Sequence, residues 1–321
     1  LKAARRGPGS AVSHLSTPLL PPPRSRGSSR ACARGMQAWS RGAGALGAAI
    51  GRGVSVARGA PPRPPLLLVL DLDETLVRVA CEGVHRNRKL NHADFRVLVD
   101  VGERPSHVTY ACEVSLRPGL GAFLEWIQAR RSAGTLDGPW VFTTATPNFT
   151  KQILKRIDPS GKIFAMRVLT RQACSPARLP GFFLKDLGRV PAATGVGGTG
   201  RTVLVDNNPV SHVLHPRSSL LVRDWLGTDP ADVELTRVRS LLDELIEGGG
   251  ATEEASAANG DYAGSLARLV PGHATFRERL RQLGDRLDVE RPEEVEQFRT
   301  LLRSISTDLH DIKRELLGAA P

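Results

Sequence analysis

Two aspartates one residue apart, Asp71 and Asp73, follow directly on the apolar run Leu66-Leu67-Leu68-Val69-Leu70. Where a buried strand ends and the chain turns, carboxylates at that spacing project into one crevice. A carboxylate is a poor nucleophile in water and is repelled by a phosphate monoester. A hard divalent cation with oxygen ligands, most simply Mg2+, offsets both difficulties. One aspartate can then attack phosphorus to give an aspartyl-phosphate. The other can protonate the leaving oxygen and later deprotonate water. Taken alone, Asp-x-Asp-x-Thr is as much the pattern of a solvated turn after a core strand. Three further polar clusters weigh against that. Thr143, after Trp140-Val141-Phe142, offers a hydroxyl to a phosphoryl oxygen. Lys185, within Phe183-Leu184-Lys185-Asp186-Leu187, supplies a point charge suited to phosphate. Asp206 and Asn207, after Val203-Leu204-Val205, add oxygen ligands for the metal. Singly these read as a strand cap, a surface lysine and a turn opening. Their order, with three of the four clusters at strand ends, reads as one site.

The elements that must position them follow from periodicity. Helical spacing lies between the apolar runs, in Leu120, Phe123, Leu124 and Ile127, and again in Ile153, Leu154 and Ile157. Buried strands alternating with helices predict an α/β domain, a parallel sheet with helices on both faces. In such sheets ligands sit at the carboxyl ends of the strands, where the polar clusters fall. Residues 88–116 break the alternation: Phe95-Arg96-Val97-Leu98-Val99 and Val108-Thr109-Tyr110, separated by Gly102-Glu103-Arg104-Pro105, predict a β insertion. Gly195 to Gly200 lacks a Walker lysine and precedes a strand, so it reads as a surface loop and not a phosphate cradle.

Asp71-Leu72-Asp73-Glu74-Thr75-Leu76-Val77 resembles motif I of the haloacid dehalogenase superfamily. The wider pattern is similar to its branch of protein phosphatases acting on the C-terminal domain of RNA polymerase II. Ala93-Asp94-Phe95, Arg117-Pro118-Gly119 with Phe123-Leu124, Phe142-Thr143, Lys185-Asp186-Leu187, Val205-Asp206-Asn207-Asn208-Pro209 and His215-Pro216 carry the likeness over residues 64–247. The resemblance implies a three-layer Rossmann-like sheet, with Asp71 as nucleophile and Asp73 as general acid/base. Thr143 and Lys185 would contact the phosphoryl group. The metal would lie on Asp71, the backbone carbonyl of Asp73, and Asn207, with Asp206 close by. It also implies a phosphoserine or phosphothreonine in a phosphoprotein substrate, since that branch lacks a large cap and the β insertion here is too short to be one. Arg78 departs from the pattern, standing where many relatives have His. Two other readings compete: a non-catalytic module binding presequences, like the mitochondrial inner-membrane translocase subunit of this fold, and a small-molecule phosphatase.

The flanks differ in kind. The chain has 44 basic and 33 acidic residues, but residues 1–70 hold eleven of the basic ones and no acid, leaving the rest balanced. A neutral folded part with a basic arm argues against direct nucleic-acid binding. Residues 1–63, rich in Arg, Ala, Gly and Pro, predict a disordered arm and, from Met36, a transit-peptide composition. The address is then mitochondrion or plastid; without a transit peptide it is nucleus or cytoplasm. No run approaches the ~20 apolar residues of a membrane span, so a soluble protein is expected. Cys32, Cys81, Cys112 and Cys174 are far apart and read as free thiols in a reducing compartment. After a helix at Leu235–Leu245, residues 248–264 read as a flexible linker. Residues 265–318 then read as a helical hairpin or coiled-coil tail. Phe276, Leu280, Leu283 and Leu287 precede a strict seam of Val295, Phe298, Leu302, Ile305, Leu309, Ile312 and Leu316, with Pro292 as first helical residue. Residues 276–316 are therefore the place for self-association or a partner helix. Removing residues 1–63 is expected to leave a folded protein, with a melting temperature within a few degrees of the full chain by differential scanning fluorimetry.

Overall fold

A computed structural model describes residues 64–81, 90–101, 108–191, 198–248 and 262–318. The basic arm with Cys32 and Met36, residues 195–197 of the Gly-rich stretch, and most of the stretch read as linker lie outside the described residues.

β1 (Leu66–Leu70) is buried along its whole length, as befits a strand paired on both edges and covered on both faces. The chain continues through β2 (Val77–Cys81), β3 (Phe95–Val101), β4 (Val108–Leu116), β5 (Leu136–Phe142), β6 (Val168–Leu169), β7 (Ser175–Pro176), β8 (Phe183–Leu184), β9 (Thr202–Asp206) and β10 (Ser219–Leu221). The helices are α1 (Leu120–Ser132), α2 (Pro147–Ile157), α3 (Glu234–Glu247), α4 (Tyr262–Leu269), α5 (His273–Leu287) and α6 (Val295–Leu317). The central sheet has the order β10-β9-β1-β5-β6, with every pairing parallel. From β1 the chain builds outward to β5 and β6, then returns to build β9 and β10 on the other side. Strand order therefore reverses at β1, which places the ligand crevice beyond the carboxyl ends of β1, β5 and β9. Asp71, Thr143 and Asp206-Asn207 stand at those three ends.

Alternate residues of β1 face opposite ways. Leu66, Leu68 and Leu70 share a core with Val141, Val203, Val205 and side chains from α1 to α4. Leu67 and Val69 share another with Phe142, Leu204, Cys174, Leu187 and Val190. The class is α/β as expected; α5 and α6 pack on this second face at its β10 end, where Leu221 joins their cluster, whereas the part behind β1 carries no α-helix among the described residues. It is covered by the chain from Cys174 to Val190, which holds the β7–β8 pair and a 3-10 turn at Leu187–Arg189. Two prolines and a glycine, Pro176, Pro180 and Gly181, interrupt any helix there, while its apolar side chains still fill the layer.

The β insertion is an antiparallel sheet of order β2-β4-β3. The hairpin of β3 and β4 was expected; the recruitment of β2 was not. In the β2–β4 ladder Cys81 stands opposite Cys112, and the two form a disulfide. That corrects the reading of all four cysteines as free thiols, because cross-strand register brings together residues far apart in sequence. Cys174 is free and buried.

The C-terminal helices also depart from expectation. α4 opens at Tyr262, inside residues 248–264, and buries Tyr262 and Leu266 in the main core. The Tyr262 hydroxyl donates to the Pro64 carbonyl oxygen at 2.9 Å, at the entry to β1. α5 and α6 form a hairpin, yet they are not set apart from the sheet domain. Phe276, Leu280, Leu283, Leu287, Ile305 and Ile312 bury against Leu179, Val210 and Leu221 in one cluster, and Leu179 N–H donates to the Leu287 carbonyl at 3.0 Å. The seam is used unevenly: Ile305 is fully buried and Val295 is 56% exposed. α6 begins at Val295 with Glu294 as its N-cap, so Pro292 precedes the helix and does not open it. No helix among the described residues is long and apolar enough to cross a membrane. Ile305→Ala is expected to lower unfolding stability by about 2–5 kcal/mol. In urea, circular dichroism and tryptophan fluorescence should shift together as one transition; an early transition seen only by circular dichroism would show that the hairpin unfolds separately.

Candidate active site

After β1 the chain turns through Asp71 to Leu76 and closes on itself. Leu76 and Val77 N–H both donate to the Leu72 carbonyl, at 3.0 and 3.1 Å, and Glu74 N–H donates to the Val77 carbonyl at 2.7 Å. Glu74 sits at φ 61, a left-handed conformation that a non-glycine residue holds only when its surroundings insist. Here they do: Trp225 N–H donates to the Glu74 carbonyl at 2.7 Å, and the Glu74 carboxylate pairs with buried Arg78. Close by, Gly227 sits at φ 75, a left-handed conformation that favours glycine, and a Cβ there would crowd the Leu90 side chain at 2.5 Å and Arg78 Cγ at 3.3 Å.

The four sequence clusters meet at this turn. Lys185 Nζ donates to Asp71 Oδ1 and to Asp206 Oδ2, each at 2.5 Å. Lys185 is 1% exposed, which rules out the surface-lysine reading. Burial alone would lower the Lys185 pKa, but Asp206 and Asp71 beside it more than reverse this and keep the ammonium charged. Burial, then repulsion from Asp206, pushes Asp71 up to about 7 against the pull of Lys185. Two buried carboxylates thus share one buried cation, a local deficit of positive charge. Asp206 is held by its neighbours: its Oδ1 accepts from Asn208 N–H at 2.7 Å, and its carbonyl oxygen accepts from His212 Nε2 at 3.1 Å. Burial lowers the His212 pKa to about 4, so this ring is neutral.

Thr75 joins the carboxylate side to the amide side. Its fully buried hydroxyl lies 3.3 Å from Asp71 Oδ2 and 3.2 Å from Asn207 Oδ1, and accepts from Asn207 N–H at 3.2 Å. Asn207 Nδ2 donates to Asp224 Oδ1 at 2.8 Å and to Glu74 Oε2 at 3.3 Å. Two carboxylates on one end of the amide set its direction, because only the N–H end can face them. Below this layer the Arg117 guanidinium donates twice to Asp232, at 2.8 Å each, and to the Thr75 carbonyl at 3.1 Å. Thr143 is buried at the end of β5, where its Oγ1 accepts from Ala145 N–H at 3.1 Å. Asp73 is the more exposed aspartate of the pair. The structure therefore joins Asp71, Lys185, Asp206 and Asn207 directly or through Thr75, with Thr143 and Asp73 at neighbouring strand and turn positions.

Sequence reasoning did not single out Thr75, Glu74 or Arg117 for these roles, although all three lie in the quoted motifs. Asp224 carried no signal, since it follows no periodic run. The fit to a cation can be tested on the donors. Among the described residues no three His, Cys, Asp or Glu side chains form a cage. What converges is two carboxylates and one amide oxygen, an all-oxygen set with excess negative charge. That suits Mg2+, which keeps several of its waters and takes only a few protein ligands.

Fold and site together define an α/β protein with a carboxylate–lysine centre at the topological switch point of its sheet. Comparison with known families completes the assignment: residues 66–252 match the NLI interacting factor-like phosphatase family, and the chain belongs to it. Among relatives, it is 31% identical over 180 residues to the Mus musculus carboxy-terminal domain RNA polymerase II polypeptide A small phosphatase 2, covering 56% of this chain and 57% of that one. It is 32% identical over 184 residues to a probable C-terminal domain small phosphatase of Dictyostelium discoideum, covering 56% of this chain and 50% of that one. The chain thus spans about half the length of these curated relatives. A solved structure of a fission yeast RNA polymerase II CTD phosphatase aligns at 18% identity and TM-score 0.37, covering 80% of this chain and 68% of that chain.

Lys185→Met leaves two buried carboxylates facing each other. Breaking a buried pair in this way costs about 3–5 kcal/mol. The variant's carboxylate pKa rises further in the folded state than in the unfolded one, so its stability is retained at low pH and lost as pH rises. Urea unfolding in EDTA should show a larger loss at pH 8 than at pH 5.

Proposed function

We propose that this chain is a Mg2+-dependent phosphatase of phosphoserine or phosphothreonine proteins, acting through an aspartyl-phosphate on Asp71. The observation that carries this reading is the Asp71 carboxylate, buried at the switch point and held by Lys185 beside further oxygen donors. Mg2+ on Asp71, the Asp73 carbonyl and Asn207, with Asp206 adjacent, would neutralise the charge that keeps a phosphate dianion away from a carboxylate. Lys185 and the Thr143 hydroxyl bind phosphoryl oxygens, placing phosphorus in line with an Asp71 oxygen. That oxygen bonds to phosphorus as the ester P–O bond breaks, and Asp73 gives its proton to the departing serine or threonine oxygen. Asp73, now a carboxylate, takes a proton from water whose oxygen attacks phosphorus. The Asp71–phosphorus bond breaks and inorganic phosphate leaves.

A protein substrate is favoured over a metabolite by what stands beside the crevice. The insertion after motif I is a small sheet of three strands, too little chain to enclose a small molecule. The Mus musculus relative is named as a small phosphatase of an RNA polymerase II polypeptide, which supports a protein substrate. The complete set of catalytic side chains also separates this chain from a presequence-binding module that needs none of them. Asp71→Asn should lower phosphate release from a phosphoserine peptide by more than about a thousandfold, since loss of a covalent nucleophile removes the route itself. EDTA should abolish release by the unmodified protein, and Mg2+ should restore it. Turnover near the unmodified level in Asp71→Asn would overturn the mechanism, and faster turnover of sugar phosphates than of phosphopeptides would overturn the substrate class.

A further inference from the structure

The α5–α6 hairpin lies beyond the family match, which ends at residue 252, yet it touches the supports of the site. Lys313, near the end of α6, places Nζ 2.6 Å from Asp224 Oδ1. The same oxygen accepts from Asn207 Nδ2 at 2.8 Å. One turn further on, the Leu317 carbonyl oxygen accepts from Arg223 Nη2 at 2.6 Å. The last turns of α6 therefore grip residues 223 and 224 together. These residues lead into Trp225, whose N–H holds the carbonyl of Glu74 in the motif I turn.

We propose that Lys313 is a positioning residue for the metal site: through Asp224 it holds the Asn207 amide with Oδ1 turned toward Thr75 and Asp71. The proposal rests on the reading of Asn207 as a metal ligand. Asp224 and Glu74 both accept from Asn207 Nδ2, but they are not equally restrained. Glu74 is buried and paired with Arg78 inside the turn. Asp224 is 25% exposed at its side chain and lies on a connecting segment outside any helix or strand. Each cation beside a carboxylate so placed adds to the hold on its direction. Lys313 supplies one such cation, on the oxygen that takes the Asn207 amide, from a helix whose own position is set by burial of Ile305 and Ile312. The tail thereby acts on the geometry of a ligand without touching the phosphoryl group.

The sign of the effect separates this from a plain surface ion pair. Removing a positive charge near a divalent-cation site would, by Coulomb's law alone, tighten metal binding. Losing a support of a ligand loosens it, commonly by about 10–100-fold. Mn2+, a spectroscopic stand-in for Mg2+, can be titrated into the full-length protein and its free fraction read by electron paramagnetic resonance. Asn207→Ala serves as the reference for loss of a ligand, and thermal melts without metal check that each variant folds. Lys313→Met should bind Mn2+ about tenfold more weakly at an unchanged melt, and Lys313→Arg should restore binding to within about threefold of the original. Lys313→Met binding as tightly as the original or tighter, with Asn207→Ala weakened, overturns the positioning role and leaves the metal site standing. No uptake by the original protein, or full affinity in Asn207→Ala, overturns the metal-site reading and this proposal with it.

Discussion

The ammonium of Lys185 between Asp71 and Asp206 is the contact on which the rest of the site depends. All three groups are out of water, and no pair of them is tolerable alone: two carboxylates repel, and a lysine buried against one acid keeps unfilled donors. The triad also ties three distant parts of the chain. Asp71 ends the central strand, Asp206 ends its neighbour, and Lys185 comes from the irregular layer between Cys174 and Val190. That layer has little regular hydrogen bonding of its own. Its apolar side chains seat it on the sheet, and the buried ion pairs fix where along the sheet it stops.

Around the triad, support is arranged in depth. Thr75 links the Asp71 carboxylate to the Asn207 amide, and Arg117 holds the Thr75 carbonyl from beneath while paired with Asp232. Asn207 is then braced by Glu74 and Asp224. The contacts come from several parts of the chain: Glu74 lies in the turn itself, Arg117 is 42 positions from Thr75, and Asn207 is 132 positions from it. This accounts for the left-handed Glu74: its carbonyl is held by the distant Trp225 and its carboxylate by Arg78, four residues on.

What could be read in the sequence follows from this layering. The strands that end in polar clusters were legible because burial on both faces leaves an unbroken apolar run, and the residue ending the run is then conspicuous. Asp71, Thr143 and Asp206 were found in that way. Lys185 was legible from its chemistry and from the family likeness, although its burial was not. Asp224 and Lys313 were invisible, since neither lies on a periodic face and their importance arises only where α6 meets the segment after β10. The α6 seam was legible as an apolar stripe, of which Ile305 and Ile312 are buried, but a stripe does not name its partner. Its cluster holds α5 side chains together with Leu179, Val210 and Leu221. Likewise nothing in the spacing of Cys81 and Cys112 announces that β2 joins the insertion and sets them opposite each other.

The place of β1 at the middle of the sheet has a consequence for how the chain is made. It is the first element of the domain to be synthesised, yet both of its edges wait for strands that come much later, β5 and then β9. Its entry is closed later still, by the tyrosine that opens α4. At ordinary rates of synthesis the interval between β1 and β9 is on the order of ten seconds. Leu66 to Leu70 has two open edges until β5 has been made and one until β9 has. Such a segment invites pairing with any other exposed strand, and that exposure ends only when Thr202–Asp206 has emerged.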